Sequence, residues 1–512
     1  MIPNLASPGW AVALIFIPLL GAMLAFLLPR IGVTLGLLAA VLTAGSVLPL
    51  LPMLAAHGAT NIRIGGWGAP LGIELSIDGL TMAMLAMTAL VGIAVSAYAT
   101  CYLRPVPSRP DGQPDLQQRH FWPLWLVLWA ALNALFLSSD IFNLYVTLEL
   151  LGLAAVALTA LSGGADALNG AMRYLLVSLL GSLGYLLGVA LLYHAYGTLD
   201  LGLLALRVGD ETVTRAALGA MTAGLLVKTA LFPLHFWLPP AHASASAPVS
   251  ALLSALVVKA SFYLLLRLWL TLFGDLDSGL ATLLGVLGAI AILWGSIQAL
   301  RQARLKLLIA YSTVAQIGYL FLAFPLAATG GAVVWGAAVY LVLSHALAKA
   351  AMFLTAGSLL RFGAHDRIAD LDRVVHRLPI TIGAFTLAGV SIMGLPPSGG
   401  FIGKWLLLQA AFSQGRWGLA LVMLAGGLLA AAYVFKVIGY AFTPAVVPHQ
   451  AGLVPPTMEW TALALGAGAI LLGFAWPLLW PLLEIGMPFG ALAPDPGAAV
   501  GPWLGGPRIL AP

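Results

Sequence analysis

The chain has 512 residues, of which 61% are hydrophobic and 8% charged, with 23 Lys+Arg against 18 Asp+Glu and a formal net charge of +5. Soluble globular proteins carry about a quarter charged residues, so a soluble enzyme, a nucleic-acid binder and a disordered chain are excluded. Apolar runs of about 20 residues recur from end to end. Each is long enough to cross a bilayer as a helix, which also excludes a β-barrel, whose spans would be about ten residues of alternating polarity.

In chain order, the first segment (MIPNLASPGWAVALIFIPLL) has no Lys or Arg before its apolar stretch. It therefore lacks the charged start of a signal peptide and reads as a retained first span. Fourteen hydrophobic segments are predicted, near 8–28, 31–54, 80–103, 121–137, 141–161, 170–195, 215–237, 248–272, 279–299, 305–325, 331–360, 378–411, 417–442 and 458–482. The polar breaks between them are short, so one compact α-helical bundle is expected. The Gly- and Pro-rich end of the chain should be an irregular tail. A single cysteine, Cys101, rules out an internal disulfide. Loop arginines divide 11 to 6 between the two sides of a 14-span chain, the minority being Arg63, Arg207, Arg215, Arg267, Arg416 and Arg508. By the positive-inside rule both termini then face out, and the net positive charge reflects topology.

The charges are sorted by type. The 17 arginines lie in loops or near span ends, and the acids lie almost all in loops, with Glu149 the one carboxylate well inside a span. All six lysines (Lys228, Lys259, Lys306, Lys349, Lys404 and Lys436) lie inside or at the edge of apolar segments. A charge at a helix centre costs about 2.5–3.5 kcal/mol on insertion scales. Arginine stays protonated, whereas a desolvated lysine alternates readily between charged and neutral forms. Lys306 begins a span and Lys436 lies near a span end, so both are open to snorkelling toward the interface. Lys228, Lys259, Lys349 and Lys404 have apolar sequence on both sides and are the functional candidates.

Lys228 precedes Pro233, with His235 seven residues on and expected on the same helical face. Lys404 follows Pro396, Pro397, Gly399 and Gly400. Proline removes a helical hydrogen bond, and interrupted spans in the two halves of a transporter point to an ion or substrate path; a simple packing kink is the alternative. His345 and Lys349 are four apart on one face, a pairing suited to proton movement near neutral pH. A structural His345 stays open, as does an interfacial position for His235 and His242. No nucleotide loop, haem motif, iron–sulfur cluster or metal-ligand cluster is present in the sequence, so no cofactor or metal is expected.

Six segments in order carry a resemblance. They are GGWGAPLGIELSIDGLTMAML, LSSDIFNLYVTLELLGL, VKTALFPLHFWLPPAHASASAPVSALLSALVVKASFYLLLRL, RQARLKLLIAYSTVAQIGYL, LSHALAKAAMFLTAGSLL and GLPPSGGFIGKW. The chain resembles the antiporter-like subunits of respiratory complex I, Mrp-type cation/proton antiporters and membrane-bound hydrogenases. The resemblance implies 14 helices with two inverted five-helix repeats, each containing one broken helix. It divides the chain into helices 1–3 (1–120), a first repeat (121–272), a second repeat (273–442) and a final helix with its tail (443–512).

It further implies a proton path near the membrane midplane. Glu149 would pair with Lys228, Lys259 and His345/Lys349 would form the central relay, and Lys404 would be the terminal site. The hydroxyls of Ser178, Ser182, Ser250, Ser254 and Ser344 would hold linking water. Partners would be other membrane subunits, with protons, and Na+ or K+ through the complex, as cargo, in a bacterial plasma membrane. The shorter antiporter subunits, without a lateral helix, match best. Competing readings are the membrane half of another energy-coupled complex, such as inorganic-carbon uptake or a hydrogenase, and a stand-alone solute transporter. Whether the chain forms part of an NADH:quinone oxidoreductase-type enzyme is left open, because it has no redox centre of its own.

Overall fold

The computed structural model describes residues 9–103, 116–274, 278–445 and 452–486. The expected irregular tail, from Pro481 on, is helical over its first four residues as the end of the helix Trp476–Glu484; from residue 487, and with it Arg508, it lies outside the described residues, as do Arg104 and Arg109. Among the described residues, 12 helices are long and apolar enough to cross a membrane: Gly9–Leu27, Pro29–His57, Gly79–Tyr102, Gln117–Leu137, Ile141–Ala160, Gly164–Tyr196, Ala247–Phe273, Gly279–Arg301, Leu305–Ala327, Gly331–Gly363, Trp417–Phe442 and Pro456–Phe474. Two further crossings are split. The seventh consists of Thr212–Thr229 and Leu238–Ser244, and the twelfth of Pro379–Met393 and Gly399–Ser413. The total is the 14 expected, and the split crossings are fourth in the sets four to eight and nine to thirteen.

Local chemistry explains both breaks. The first half of span seven ends at Ala230, left-handed at φ 58°, and Pro233 removes a donor in the turn that follows. Residues 231–237 are therefore not helical, so Lys228 and His235 do not share a helical face, contrary to the spacing argument. In span twelve, Gly394 adopts φ 82° and Pro396 and Pro397 prevent continuation. The Ser398 hydroxyl then caps the second half by accepting from the Phe401 amide at 3.2 Å.

Burial separates lipid-facing from central helices. Span six exposes Leu176, Leu180, Leu183 and Leu187 along one stripe and buries Ser178, Ser182 and Tyr185 on the other. Span eight is buried along its length except at Leu270 and Thr271, which are half-buried. It is also irregular, with π-helical turns at Leu253–Val257 and Trp269–Phe273. Such turns leave carbonyls out of the usual ladder and occur often at functional sites. A short antiparallel ribbon, Thr60–Arg63 with Glu74–Ile77, joins spans two and three.

Arg267 departs from the expected pattern. It is not a loop residue: it is buried within span eight, paired with Asp78. Taking it from the minority side widens the arginine bias.

Spans six and seven touch backbone to backbone. A Cβ on Gly224 would lie 2.3 Å from the Gly181 carbonyl oxygen, closer than any real contact. Gly224→Ala should therefore cost about 1–3 kcal/mol through overpacking and lower the melting temperature of the detergent-purified protein. Gly219→Ala, whose Cβ meets nothing within 4 Å, should leave it unchanged; the comparison by intrinsic-fluorescence melting checks this.

Candidate functional site

Glu149 projects from span five and Lys228 from the last turn of the first half of span seven. Their charged atoms are 3.6 Å apart, with both side chains largely buried. The Ser182 hydroxyl donates to Glu149 Oε2, and Lys228 Nζ donates to Ser178 Oγ at 2.9 Å. Beside this pair is a cavity of about 10 Å³ bordered by Lys228, Ser178, Tyr174, Val257 and Ser261. That volume suits about one water and leads toward span eight.

Lys259, fully buried, donates to the carbonyl of Ser254, which lies within the π-helical turn. The Ser254 hydroxyl bonds Thr313 Oγ1 at 2.9 Å, reaching span ten. Thr313 Oγ1 donates to the Ile309 carbonyl at 3.0 Å, and Lys349 Nζ donates to the same carbonyl at 3.1 Å. Lys349 also donates to the Ser312 hydroxyl. Lys259 and Lys349 are thus connected through residues of spans eight and ten.

His345, one turn before Lys349, is buried with neither ring nitrogen bonded to protein. Its neighbour Ser344 bonds the Ser391 hydroxyl of span twelve at 2.7 Å. The next carbonyl, Ile392, accepts from Lys404 Nζ at 2.6 Å and from Gln316 Nε2 at 3.3 Å. Lys404 Nζ also lies 4.3 Å from the centre of the Tyr319 ring, an attraction worth about 2 kcal/mol or more when desolvated.

All six expected residues therefore lie along one buried line. Of the five expected hydroxyls, Ser178, Ser182, Ser254 and Ser344 lie on it. Ser250 instead donates to the His242 carbonyl and tightens a turn. Ser312, Thr313, Gln316, Tyr319 and Ser391 were not anticipated. Lys306 does not snorkel: it is buried and donates to the Ala243 and Ala245 carbonyls at the end of span seven. Lys436 likewise holds the Leu300 and Gln302 carbonyls at 2.8 and 2.7 Å. His235 stacks on Phe232 and the buried His242 on Phe353, and neither joins the line. Among the described residues no group of three His, Cys, Asp or Glu side chains is placed to hold a metal.

This line runs within the region, residues 138–430, that matches the family described as NADH:quinone oxidoreductase/Mrp antiporter, TM. The chain belongs to that family. NADH-quinone oxidoreductase subunit N of Desulforudis audaxviator is 36% identical over 90% of this chain and 95% of its own length. A Na(+)/H(+) antiporter subunit of Alkalihalophilus pseudofirmus is 29% identical over 82% of this chain and 84% of its own.

Solved structures agree on the fold. A chain of the Mrp complex from Dietzia sp. DQ12-45-1b superposes with TM-score 0.83 at 24% identity, covering 93% of this chain and 96% of that one. A chain of respiratory complex I from Thermus thermophilus gives TM-score 0.72 at 26% identity, covering 93% and 99%. The chain is thus an antiporter-like membrane subunit of the complex I or Mrp type.

Gly394 links the break in span twelve to the lysine it serves. A Cβ there would combine a left-handed backbone with a 2.7 Å approach to Lys404 Cδ. Gly415 has φ 67° but open space around it. The left-handed strain, about 1–2 kcal/mol, is common to both positions, so Gly394→Ala should lower the melting temperature more than Gly415→Ala. Equal losses would show that the Lys404 stem has room to move aside.

Proposed function

We propose that the chain is a proton-translocating subunit of a complex I-like or Mrp-like assembly in a bacterial plasma membrane. Protons pass through Glu149, Lys228, Lys259, His345, Lys349 and Lys404. The observation that carries the reading is the set of buried polar groups that these residues form on five spans, Glu149 with Lys228, Lys259 with Lys349 through Ser254, Thr313 and the Ile309 carbonyl, and Lys404 beside the Ser344–Ser391 pair, with a carboxylate at one end only. Glu149, Lys228 and Lys259 fall in the first proposed repeat, 121–272, and His345, Lys349 and Lys404 in the second, 273–442.

The chemistry follows from the two kinds of ammonium seat. Lys228 faces a full negative charge on Glu149, whereas Lys259, Lys349 and Lys404 face carbonyl dipoles. When Glu149 moves away or takes a proton, the charge holding the Lys228 ammonium is gone and its proton leaves. The adjoining cavity has room for a water to receive it and pass it toward Lys259. Carbonyls orient the ammoniums and transfer nothing. The Ser254–Thr313 and Ser344–Ser391 hydroxyl pairs, with His345, supply groups that both accept and donate. One unit of pKa is about 1.4 kcal/mol and one charge across 100 mV about 2.3 kcal/mol, so shifts of a few units move a proton against the membrane potential. The driving energy comes from partner subunits or a counter-ion gradient. A cavity of about 10 Å³ admits water and no organic solute.

Two tests use the native assembly in proteoliposomes with a pH-sensitive dye. Glu149→Gln and Lys228→Ala should each reduce proton transport at least tenfold with assembly intact, and transport that survives both sinks the pair. Lys404→Arg keeps the charge but, since arginine does not release its proton, should be as inactive as Lys404→Ala. An active Lys404→Arg would make the residue a fixed counter-charge for the broken helix.

A further inference from the structure

Span ten carries Ser312, Gln316 and Tyr319 at intervals of four and three within the helix Leu305–Phe321, so the three share a face. The two ends of this stripe serve different lysines. Ser312 Oγ accepts from Lys349 Nζ of span eleven. At the other end, Gln316 Nε2 donates to the Ile392 carbonyl that also seats Lys404 Nζ, and the Tyr319 ring lies beneath that ammonium. Ser312 and Tyr319 are seven residues apart, so the two ends are separated by about 10 Å along the helix axis. A proton moves between heavy atoms about 2.6–3.2 Å apart, or through one water, so transfer along the stripe needs intermediate groups.

Tyr433 of span thirteen, within Trp417–Phe442, meets the middle of the stripe. Its side chain is fully buried and its hydroxyl faces the side chains of Ser312 and Gln316, without reaching hydrogen-bond geometry with either. Other buried tyrosines are bonded: Tyr98 Oη donates to the Leu354 carbonyl at 2.8 Å, Tyr263 Oη to Phe136 at 2.8 Å and Tyr319 Oη to Met423 at 2.9 Å. A buried hydroxyl without a partner costs free energy that a phenylalanine of the same shape avoids, so packing does not account for the oxygen of Tyr433. The neighbouring Ser312 hydroxyl donates to the Ile309 carbonyl at 2.8 Å. A serine hydroxyl rotates to suit its partners and both accepts and donates, so it can turn from Ile309 to Tyr433 while Lys349 stays on its lone pair.

We propose that the Tyr433 hydroxyl is a member of the relay, carrying the proton from the Lys349 seat to the Lys404 seat. Lys349 Nζ gives its proton to Ser312 Oγ as the Ser312 hydroxyl gives its own to Tyr433 Oη. The phenolic proton of Tyr433 passes to a water held by the Gln316 amide, and that water gives one of its protons to the neutral Lys404 Nζ. Lys349 loses one proton and Lys404 gains one, while serine, tyrosine and water end as they began. A hydroxyl tied to neither neighbour suits this duty, because it turns to each without breaking a bond. The inference rests on Lys349 and Lys404 being members of the relay proposed above, and it adds the group that joins them.

The test pairs proton transport by the native assembly in proteoliposomes with intrinsic-fluorescence melting of the same assembly in detergent. Tyr433→Phe removes one oxygen and keeps the ring. It should lower transport at least tenfold and leave the melting temperature at or above the wild-type value, because the hydroxyl makes no bond that holds the bundle. Tyr98→Phe, which removes a bonded hydroxyl outside the relay, should do the reverse, lowering the melting temperature with transport unchanged. Wild-type transport in Tyr433→Phe overturns the inference. So does a melting loss as large as that of Tyr98→Phe, which would make the hydroxyl a structural bond. Ser312→Ala breaks the link on its other side while Lys349 keeps the Ile309 carbonyl; it should lower transport to a similar degree, and full transport in it also overturns the inference. Lys349→Ala run in parallel separates the two proposals: transport that survives it overturns the relay. Transport abolished by it, but retained in Tyr433→Phe and Ser312→Ala, overturns the role of Tyr433 alone.

Discussion

Inside the hydrocarbon layer every backbone carbonyl needs a donor, and every ammonium needs an acceptor. This chain meets both requirements with the same contacts. Five of its six lysines donate to main-chain carbonyls: Lys259 to Ser254, Lys306 to Ala243 and Ala245, Lys349 to Ile309, Lys404 to Ile392, and Lys436 to Leu300 and Gln302. Four of these acceptor sites lie at a helix end or in a π-helical turn, where the ladder leaves oxygens free and the helix dipole favours a cation. Each irregularity would be costly without its lysine, and each lysine without its irregularity.

Lys228 is the exception, and the exception organises the rest. Its ammonium faces Glu149 and Ser178 and no carbonyl. A carboxylate can leave, or be neutralised, whereas a carbonyl dipole is fixed in the chain. The line therefore has one adjustable end and a series of fixed seats. In the proposed relay, a change at Glu149 alters the charge on Lys228, and the lysines beyond respond through their repulsion for one another.

The crossings were legible because their signal is local: an apolar run long enough to span, and prolines that end one. The sorting of lysine from arginine was equally local, and it found the lysines of the line. The seats were not legible. A serine or threonine in an apolar helix usually returns its hydroxyl to a carbonyl of the preceding turn, as Thr159 and Thr229 do. Nothing in the spacing of Ser312, Thr313 or Ser391 distinguishes them from such residues. Asp78 reads as an ordinary helix cap, which it is, and Arg267 as an arginine at a span end facing water, whereas it is buried. Their 189-residue separation hides the pair until the bundle is assembled. The expected Lys228–His235 face failed for a local reason, since the helix ends between them.

Four crossings lie between span seven and span twelve, so the two run in opposite directions through the membrane. Lys228 precedes its break and Lys404 follows its own, which makes the halves look unlike in sequence. Because the spans are antiparallel, these opposite positions place both lysines on the same side of their breaks. That is the side on which span three begins and span eight ends, where Asp78 meets Arg267. In the proposed relay, transfer from Lys228 to Lys404 therefore does not run from one membrane face to the other, and the transmembrane cost of about 2.3 kcal/mol per charge per 100 mV falls on entry and exit.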